Sequence, residues 1–474
     1  MRKEHLPEEE MREPWDLSLH EAAEAIAARR LSSRDLVRSL LDRIDRLEPQ
    51  IHAWARLRPE EALAEAEELD RRLARGESLG PLHGVPVGVK DIYYTAGWET
   101  SAGSRILAGF LPAFDATVVS RLKAKGAIIL GKTVTTEFAT FDPGPTRNPW
   151  NLDHTPGGSS SGSAAAVAAR MCPGAFGTQT AGSILRPAAF CGIVGLKPTY
   201  GRISRHGVVP VSWTLDHPGP MARTVRDVAI LLEATAGPDG HDTTCLAEPL
   251  EGCVAACDRP ASGLRVGVPD RFFLDRSSPE MASAFRRALS LLEEAGMEVR
   301  EIRLPSEFDD CPEAHRTIMY AEAAAFHERW FRHRADDYGP KIRAMIEEGL
   351  EIPAVSYLRA REIRTACIQA MQGLFGEIDL LATPATPGPA PKGLSSTGDP
   401  IFNLPFSFVG FPAITVPAGL SSGGLPLGIQ LVARPLDEPT LLRAAAAYER
   451  VAPWRDLRPP EDMRTDSQDA TCID

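Results

Sequence analysis

A single large α/β domain, with a central mixed sheet covered by helices, is the fold class this sequence predicts. Three observations carry it. Strand-like and helical segments alternate along most of the chain, which favours a layered body. The 474 residues, 43% hydrophobic, are enough for a substantial core. No internal repeat breaks the chain into an array.

The elements follow in order. Ser18 precedes "LHEAAEAIAARR", with Glu21 three residues on, a capping-box spacing that predicts a helix start. Ser32 and Asp35 repeat it before "LVRSLLDRIDRL", and Pro59 introduces "EEALAEAEELDRRLARG" at helical spacing. The pattern changes at Pro81. Val85, Val87 and Val89 alternate, so a short strand ends near Lys90. "TVVSRLKAKGAIILGKT" reads as a helix, a glycine turn and a buried strand over 127–130. "SAAAVAARM" reads as a short alanine-rich helix beneath a loop. Farther on, "TVRDVAILLEATAG" is helical, "GLRVGVPD" and "MEVREIRL" are strands around a helix, and 307–376 is mostly helical, a peripheral layer. "IDLLATPATPGPAP" is a strand running into a proline-rich loop at 384–391. "FPAITVPAG" and "LPLGIQLVA" are strands before the helix "EPTLLRAAAAYERV".

Composition narrows the function classes. The formal charge is -12, from 64 Asp plus Glu against 52 Lys plus Arg, and no dense basic run offers a phosphate track. The N-terminus is charged and has no apolar signal core, and no apolar run is long enough for a membrane span. A cytoplasmic location is the default expectation. The 8 cysteines are thinly spread; Cys253 and Cys257 form the closest pair, with no second pair to complete a zinc set, so no metal is expected.

Three short pattern matches fail on physical grounds. "GAIILGKT" satisfies the phosphate-loop expression with Lys132 and Thr133 in place, but its four intervening residues are apolar and form a strand, whereas a phosphate loop follows one. "GSSSG" centres Ser160 in a nucleophile-elbow expression, yet the text before it is polar and proline-bearing, and His217, His241 or His315 would be triad partners only by assumption. Ser120 and Lys123 match a Ser-x-x-Lys pattern without its companion signatures.

Two serines and a lysine from separate segments make a better set. Burial lowers a lysine pKa, and a neutral Lys90 at the end of an apolar strand can take a proton from a serine. A second serine can bridge the two, and glycines around both let backbone N–H groups approach an oxyanion. The residues by themselves leave this open, because glycine-rich loops and strand-end lysines are common.

"GGSSSGSAAAVAA", "GTQTAGSILRPAAFCGIVGLKPTYGRISRHG", "DHPGPMARTVRD" and "GVPVGVKD" together resemble the amidase signature family. The likeness continues through "FNLPFSFVGFPAITVPAG" and "LPLGIQLVA". It covers roughly residues 15–455, leaving an N-terminal tail at 1–14 and a polar C-terminal tail at 456–474, with N-terminal helices over 15–76. The resemblance implies the amidase signature fold and a serine hydrolase with a Ser–cisSer–Lys triad. Ser183 is then the nucleophile, Ser159 the bridging serine on a cis peptide bond, and Lys90 the base. The backbone N–H groups of Thr180, Ala181, Gly182 and Ser183 take the oxyanion, and Gly157, Gly158 and Gly162 support the loop. No cofactor is implied.

The chain departs from the family pattern Asp-Thr-Gly-Gly-Ser-Ile-Arg. It has Gln179, Ala181 and Leu185 in place of the Asp, the first Gly and the Arg, and Arg186 lies one place later. The losses read as coupled, since either alone would strand a buried charge. Gln179 and Arg186 are therefore candidate substrate contacts, with scaffold as the competing role for Arg186. Asp216 and His217 are expected to organise a turn. The expected activity is hydrolysis of a small carboxylic amide to an acid plus ammonia or an amine, by a chain that could form a homodimer. The alternatives are the glutaminase subunit of a tRNA-dependent amidotransferase, which alone would bring nucleic acid into play, and a non-catalytic scaffold.

Overall fold

The valine alternation folds as a strand, and that strand is central. In the computed structural model, which describes residues 12–454, 456–463, 465 and 466, Pro86–Lys90 lies inside one eleven-stranded mixed sheet. The strands are β1 (Trp54–Leu57), β2 (Pro86–Lys90), β3 (Ile128–Thr133), β4 (Gly174–Gln179), β5 (Val194–Lys197), β6 (His217–Ala222), β7 (Arg265–Pro269), β8 (Glu298–Ile302), β9 (Leu380–Pro384), β10 (Ala413–Leu420) and β11 (Pro426–Ala433). Their order across the sheet is β1-β3-β2-β4-β6-β5-β10-β11-β9-β7-β8. β2 is parallel to β3 and β4, and β7 is parallel to β8 and β9; the other pairs are antiparallel.

Two short helices bring the motif loops onto this sheet. Ser161–Ala168 and Leu185–Cys191 are buried at every residue; in the first, alanine, glycine and serine let the helix approach closely on all sides. Gly162 marks the tightest approach: a Cβ there would lie 2.2 Å from the Ala53 carbonyl oxygen and 2.4 Å from Val134 N. Longer helices cover the outside. Ser18 and Glu21 form the expected capping box, Ser32 caps Ser33–Ile51 through Asp35 N, and Pro59 opens Pro59–Ala74. Cys311–Arg334, Pro340–Leu350 and Ala354–Leu374 form the helical layer of the 307–376 region.

Several elements differ from expectation. "LDHPGP" does more than turn: Asp216 holds the 211–212 backbone, but His217 begins β6, a strand between β4 and β5. Pro218 and Pro220 are tolerated there because a spacing of two puts both missing N–H donors on one side of the strand. β5 pairs only with Met221 and Ala222, beyond the prolines. The strand expected over 127–130 runs on to Thr133, so Lys132 is buried in the sheet, donating to the Tyr93 carbonyl at 2.6 Å beside Asp91. Ser160 ties a helix to β4 by exchanging hydrogen bonds with the Thr178 backbone. Of the expected tails, residues 1–11 and 467–474 lie outside the described residues. Part of the C-terminal one is anchored: Asp466 accepts from Asn151 at 2.7 Å, and Glu461 accepts from Arg43 at 2.8 Å. No helix among the described residues is long and apolar enough to cross a membrane.

Candidate active site

Lys90 closes β2 with its side chain completely buried. Its Nζ donates to Ser159 Oγ at 2.7 Å and to Thr178 Oγ1 at 2.9 Å. Burial drives its pKa well below the ordinary lysine value, opposed weakly by the charge of Asp216. Burial makes this amine give up its proton more readily than an exposed lysine does.

Ser159 follows a cis peptide bond from Gly158. The loop before it turns at Gly157, whose φ is +82° and where a Cβ would strike Pro187 Cα at 2.8 Å; both conditions require glycine. Ser160 N donates to the Ser183 carbonyl at 3.3 Å, so the segments carrying Ser159 and Ser183 run side by side. Ser183 is buried, and its Oγ has no hydrogen-bond partner among the described residues. His217, His241 and His315 do not bond it. His217 Nδ1 meets the Leu215 carbonyl at 2.6 Å, His241 stacks on His206, and His315 Nε2 meets the Thr180 carbonyl at 2.9 Å.

The Thr180–Ser183 turn is tied from several elements. Thr180 Oγ1 donates to Asp216 at 2.6 Å, and burial pushes that carboxyl up to about 6. Ser407 Oγ, from the helix Leu404–Val409, donates to the Ala181 carbonyl at 2.7 Å. Arg186 N donates to the Gly182 carbonyl at 3.0 Å. The amides of Ala181, Gly182 and Ser183 donate to no other described residue. A Cβ on Gly182 would meet Asn403 Oδ1 at 2.8 Å.

Gln179 and Arg186, the candidate substrate contacts, both spend hydrogen bonds inside the protein, although Arg186 Nε has no partner among the described residues. Gln179 is fully buried: its Oε1 accepts from Ile184 N (2.8 Å) and Leu185 N (2.9 Å), and its Nε2 donates to Ser407 Oγ (2.9 Å). Every polar side-chain atom is used in holding the turn. Arg186 donates to the carbonyls of Gly158 (2.6 Å) and Gly398 (2.7 Å) and to Thr397 Oγ1 (3.0 Å), joining the Ser159 loop to the 396–398 strap. Burial lowers its pKa to about 10, which leaves it charged at neutral pH. Leu185, in the arginine's usual place, is buried and needs no partner, so the two departures are compatible with each other.

Sequence reading missed Thr178, Ser407 and the carbonyl-holding role of His315. Thr178 reaches Lys90 only through the parallel pairing of β2 with β4, and His315 comes from a helix more than a hundred residues downstream; no local spacing signals either. A cavity of about 300 Å³ opens on Thr178 and Asp216 between Arg205 and Trp213, and another of about 380 Å³ lies against Thr397 and Gly398. A third, of about 540 Å³ between His20, Leu73 and Val254, shares no residue with the site. Among the described residues no group of three or more His, Cys, Asp or Glu could hold a metal ion.

Residues 35–442 match the Amidase family. The chain belongs to it. It is 40% identical over 485 residues to the A-type subunit of the glutamyl-tRNA(Gln) amidotransferase of Geobacter sp. (strain M21), covering 94% of this chain and 100% of that protein. Among solved structures it is similar to a chain of a vestigial protein complex tied to the origins of an s-triazine catabolic enzyme. That match has a TM-score of 0.87 and 35% identity, covering 92% of this chain and 98% of that one. It is similar also to the native peptide amidase of Stenotrophomonas maltophilia, with a TM-score of 0.82 and 34% identity over 94% of this chain and 98% of that one. The protein is an amidase-signature hydrolase, and its family-level activity is hydrolysis of amide bonds.

Proposed function

We propose that this amidase cleaves the C–N bond of a small carboxylic amide through an ester on Ser183, with Ser159 as the bridging hydroxyl and Lys90 as the base. The observation that carries the reading is the 2.7 Å contact between Ser159 Oγ and a lysine buried completely. Neutral Lys90 takes the Ser159 proton while Ser159 takes that of Ser183, whose oxygen bonds to the amide carbon. The carbonyl π pair moves onto oxygen and is received by the turn's N–H groups. When the tetrahedral adduct collapses, the C–N bond breaks and the relayed proton returns to nitrogen, which leaves as ammonia or an amine. Water then adds to the ester, giving one proton to the relay. Breaking the Ser183–carbon bond releases the acid and restores the hydroxyl. Without the relay, a serine hydroxyl is too weak a nucleophile to attack an amide.

A screen of primary amides, anilides, glutamine and esters tests the reading, with released amine or ammonia as the signal. Ser183→Ala is expected to abolish turnover while leaving the fold intact; normal turnover by that variant would remove Ser183 from its role.

One observation favours a second reading, in which glutamine is the amide and a partner receives the ammonia: the near full-length similarity to the A-type chain of an amidotransferase. Glutamine as the preferred substrate, glutamine-dependent amidation of charged tRNA and co-purification of a second subunit would select it over a free-standing amidase.

A further inference from the structure

Each peptide unit carries its C=O and N–H in opposite directions, so a held carbonyl aims the N–H on the same plane the other way. Three consecutive carbonyls in the nucleophile turn are held. Thr180 C=O accepts from His315 Nε2, Ala181 C=O from Ser407 Oγ, and Gly182 C=O from Arg186 N. The N–H groups on those planes belong to Ala181, Gly182 and Ser183, none of which has an acceptor among the described residues. We propose that His315 and Ser407, with Gln179 behind Ser407, are positioning residues that aim these amides at the oxyanion. The inference rests on Ser183 being the nucleophile.

The direction of every bond in this set is determined. Gln179 Oε1 is occupied by two backbone N–H groups, those of Ile184 and Leu185, so its Nε2 must face Ser407. Because Ser407 Oγ accepts from that amide, its own proton is free for a carbonyl. It goes to Ala181 at 2.7 Å in preference to Asn403 at 3.4 Å. An acidic residue at 179 would accept only, and would draw the Ser407 proton to itself. Gln179 in place of the family's aspartate therefore has a consequence: it makes Ser407 a donor to the turn. At His315, Nε2 carries the proton and Nδ1 is bare, matching its lack of any partner. Burial lowers the ring's pKa to about 4, so it stays neutral under working conditions. His315 belongs to the helix Cys311–Arg334, which gives the peripheral layer a hold on the turn.

Gln179→Glu and His315→Leu test this, with His315→Gln restoring an N–H donor of similar reach. Three quantities are read: turnover per site titrated with a fluorophosphonate, KM for the amide cleaved fastest in the screen, and inhibition by 2,2,2-trifluoroacetophenone, which forms a tetrahedral adduct. The expected result for both Gln179→Glu and His315→Leu is a loss of roughly 10- to 100-fold in kcat, with inhibitor affinity weakened in parallel and KM nearly unchanged. His315→Gln should recover most of the loss. A scaffold role alone would lower the titratable fraction or the melting temperature and leave kcat per site intact; that result overturns the proposal. Gln179→Glu, nearly isosteric, decides the matter if His315→Leu does not fold. Failure of the fluorophosphonate to label Ser183 in the wild type would instead strike the proposed function.

Discussion

Burial of Lys90 sets a pH dependence whose sign can be worked out. The unfolded lysine titrates near its ordinary value, and the folded one well below it. Between those two values the unfolded state holds one proton more, so stability rises with pH by up to about 1.4 kcal/mol per unit. Lys90→Met removes this dependence. The stability of the wild type relative to Lys90→Met is expected to climb from neutral pH toward pH ~10, read from denaturant melts at each pH. A flat difference would mean that Lys90 is charged in the fold. Activity follows the same proton: kcat/KM should rise with unit slope on the acid side and then level off. Arg186 gives a second prediction. Arg186→Met strips donors from the Gly158 and Gly398 carbonyls and from Thr397, and an unsatisfied buried acceptor costs about 1–3 kcal/mol. A loss of roughly 3 kcal/mol in urea melts is expected, with lower turnover because Gly158 precedes Ser159. At this scale the sequence was most legible where an apolar strand fixes a residue's place, as at the buried strand end Lys90, and least where a polar group serves its own backbone. Gln179 looked free to meet a substrate because nothing local shows that its three hydrogen bonds are already taken.

Among the elements, two strands beside the site, β4 and β6, were the hardest to read. β7 to β11 each carry two or more of valine, leucine and isoleucine. β4 and β6, "GAFGTQ" and "HPGPMA", are rich in glycine and proline and lack alternation, because both faces of these strands are buried and the helices against them need small neighbours. The helix Ser161–Ala168 was legible from its alanines, but the reason for Gly162 was not, since the groups it meets, Ala53 just before β1 and Val134 just after β3, lie far off in the sequence. Gly162→Ala would place a methyl inside the van der Waals radius of backbone that cannot rotate away. Overpacking of this kind costs typically 1–3 kcal/mol and more where backbone is struck. A loss of at least about 3 kcal/mol, or insoluble protein, is expected. A variant with unchanged melting would mean that this helix lies farther from β1 and β3.

Across the whole molecule, the α/β class follows from alternation, but the strand order does not, and neither does the hold of the peripheral helices on the site. That hold centres on Glu322. Its buried carboxylate accepts from Ser212 Oγ, from Thr214 N (3.0 Å) and Oγ1 (2.9 Å), and from Tyr357 OH (2.8 Å). One group thus joins the helices Cys311–Arg334 and Ala354–Leu374 to the 211–216 loop. That loop's other end is Asp216, which binds Thr180 in the nucleophile turn. Glu322→Ala leaves four donors without their acceptor, three of them on or beside the loop, and hydrogen bonds to a charged group are worth about 1.5–3 kcal/mol each. The melting temperature should therefore fall. Amide exchange over 211–216 should quicken while β2 and β4, which pair inside the sheet, keep their protection. Exchange unchanged in that loop would show that Asp216 alone fixes it. Exchange raised throughout the sheet would show that the helical layer and the sheet unfold as one unit.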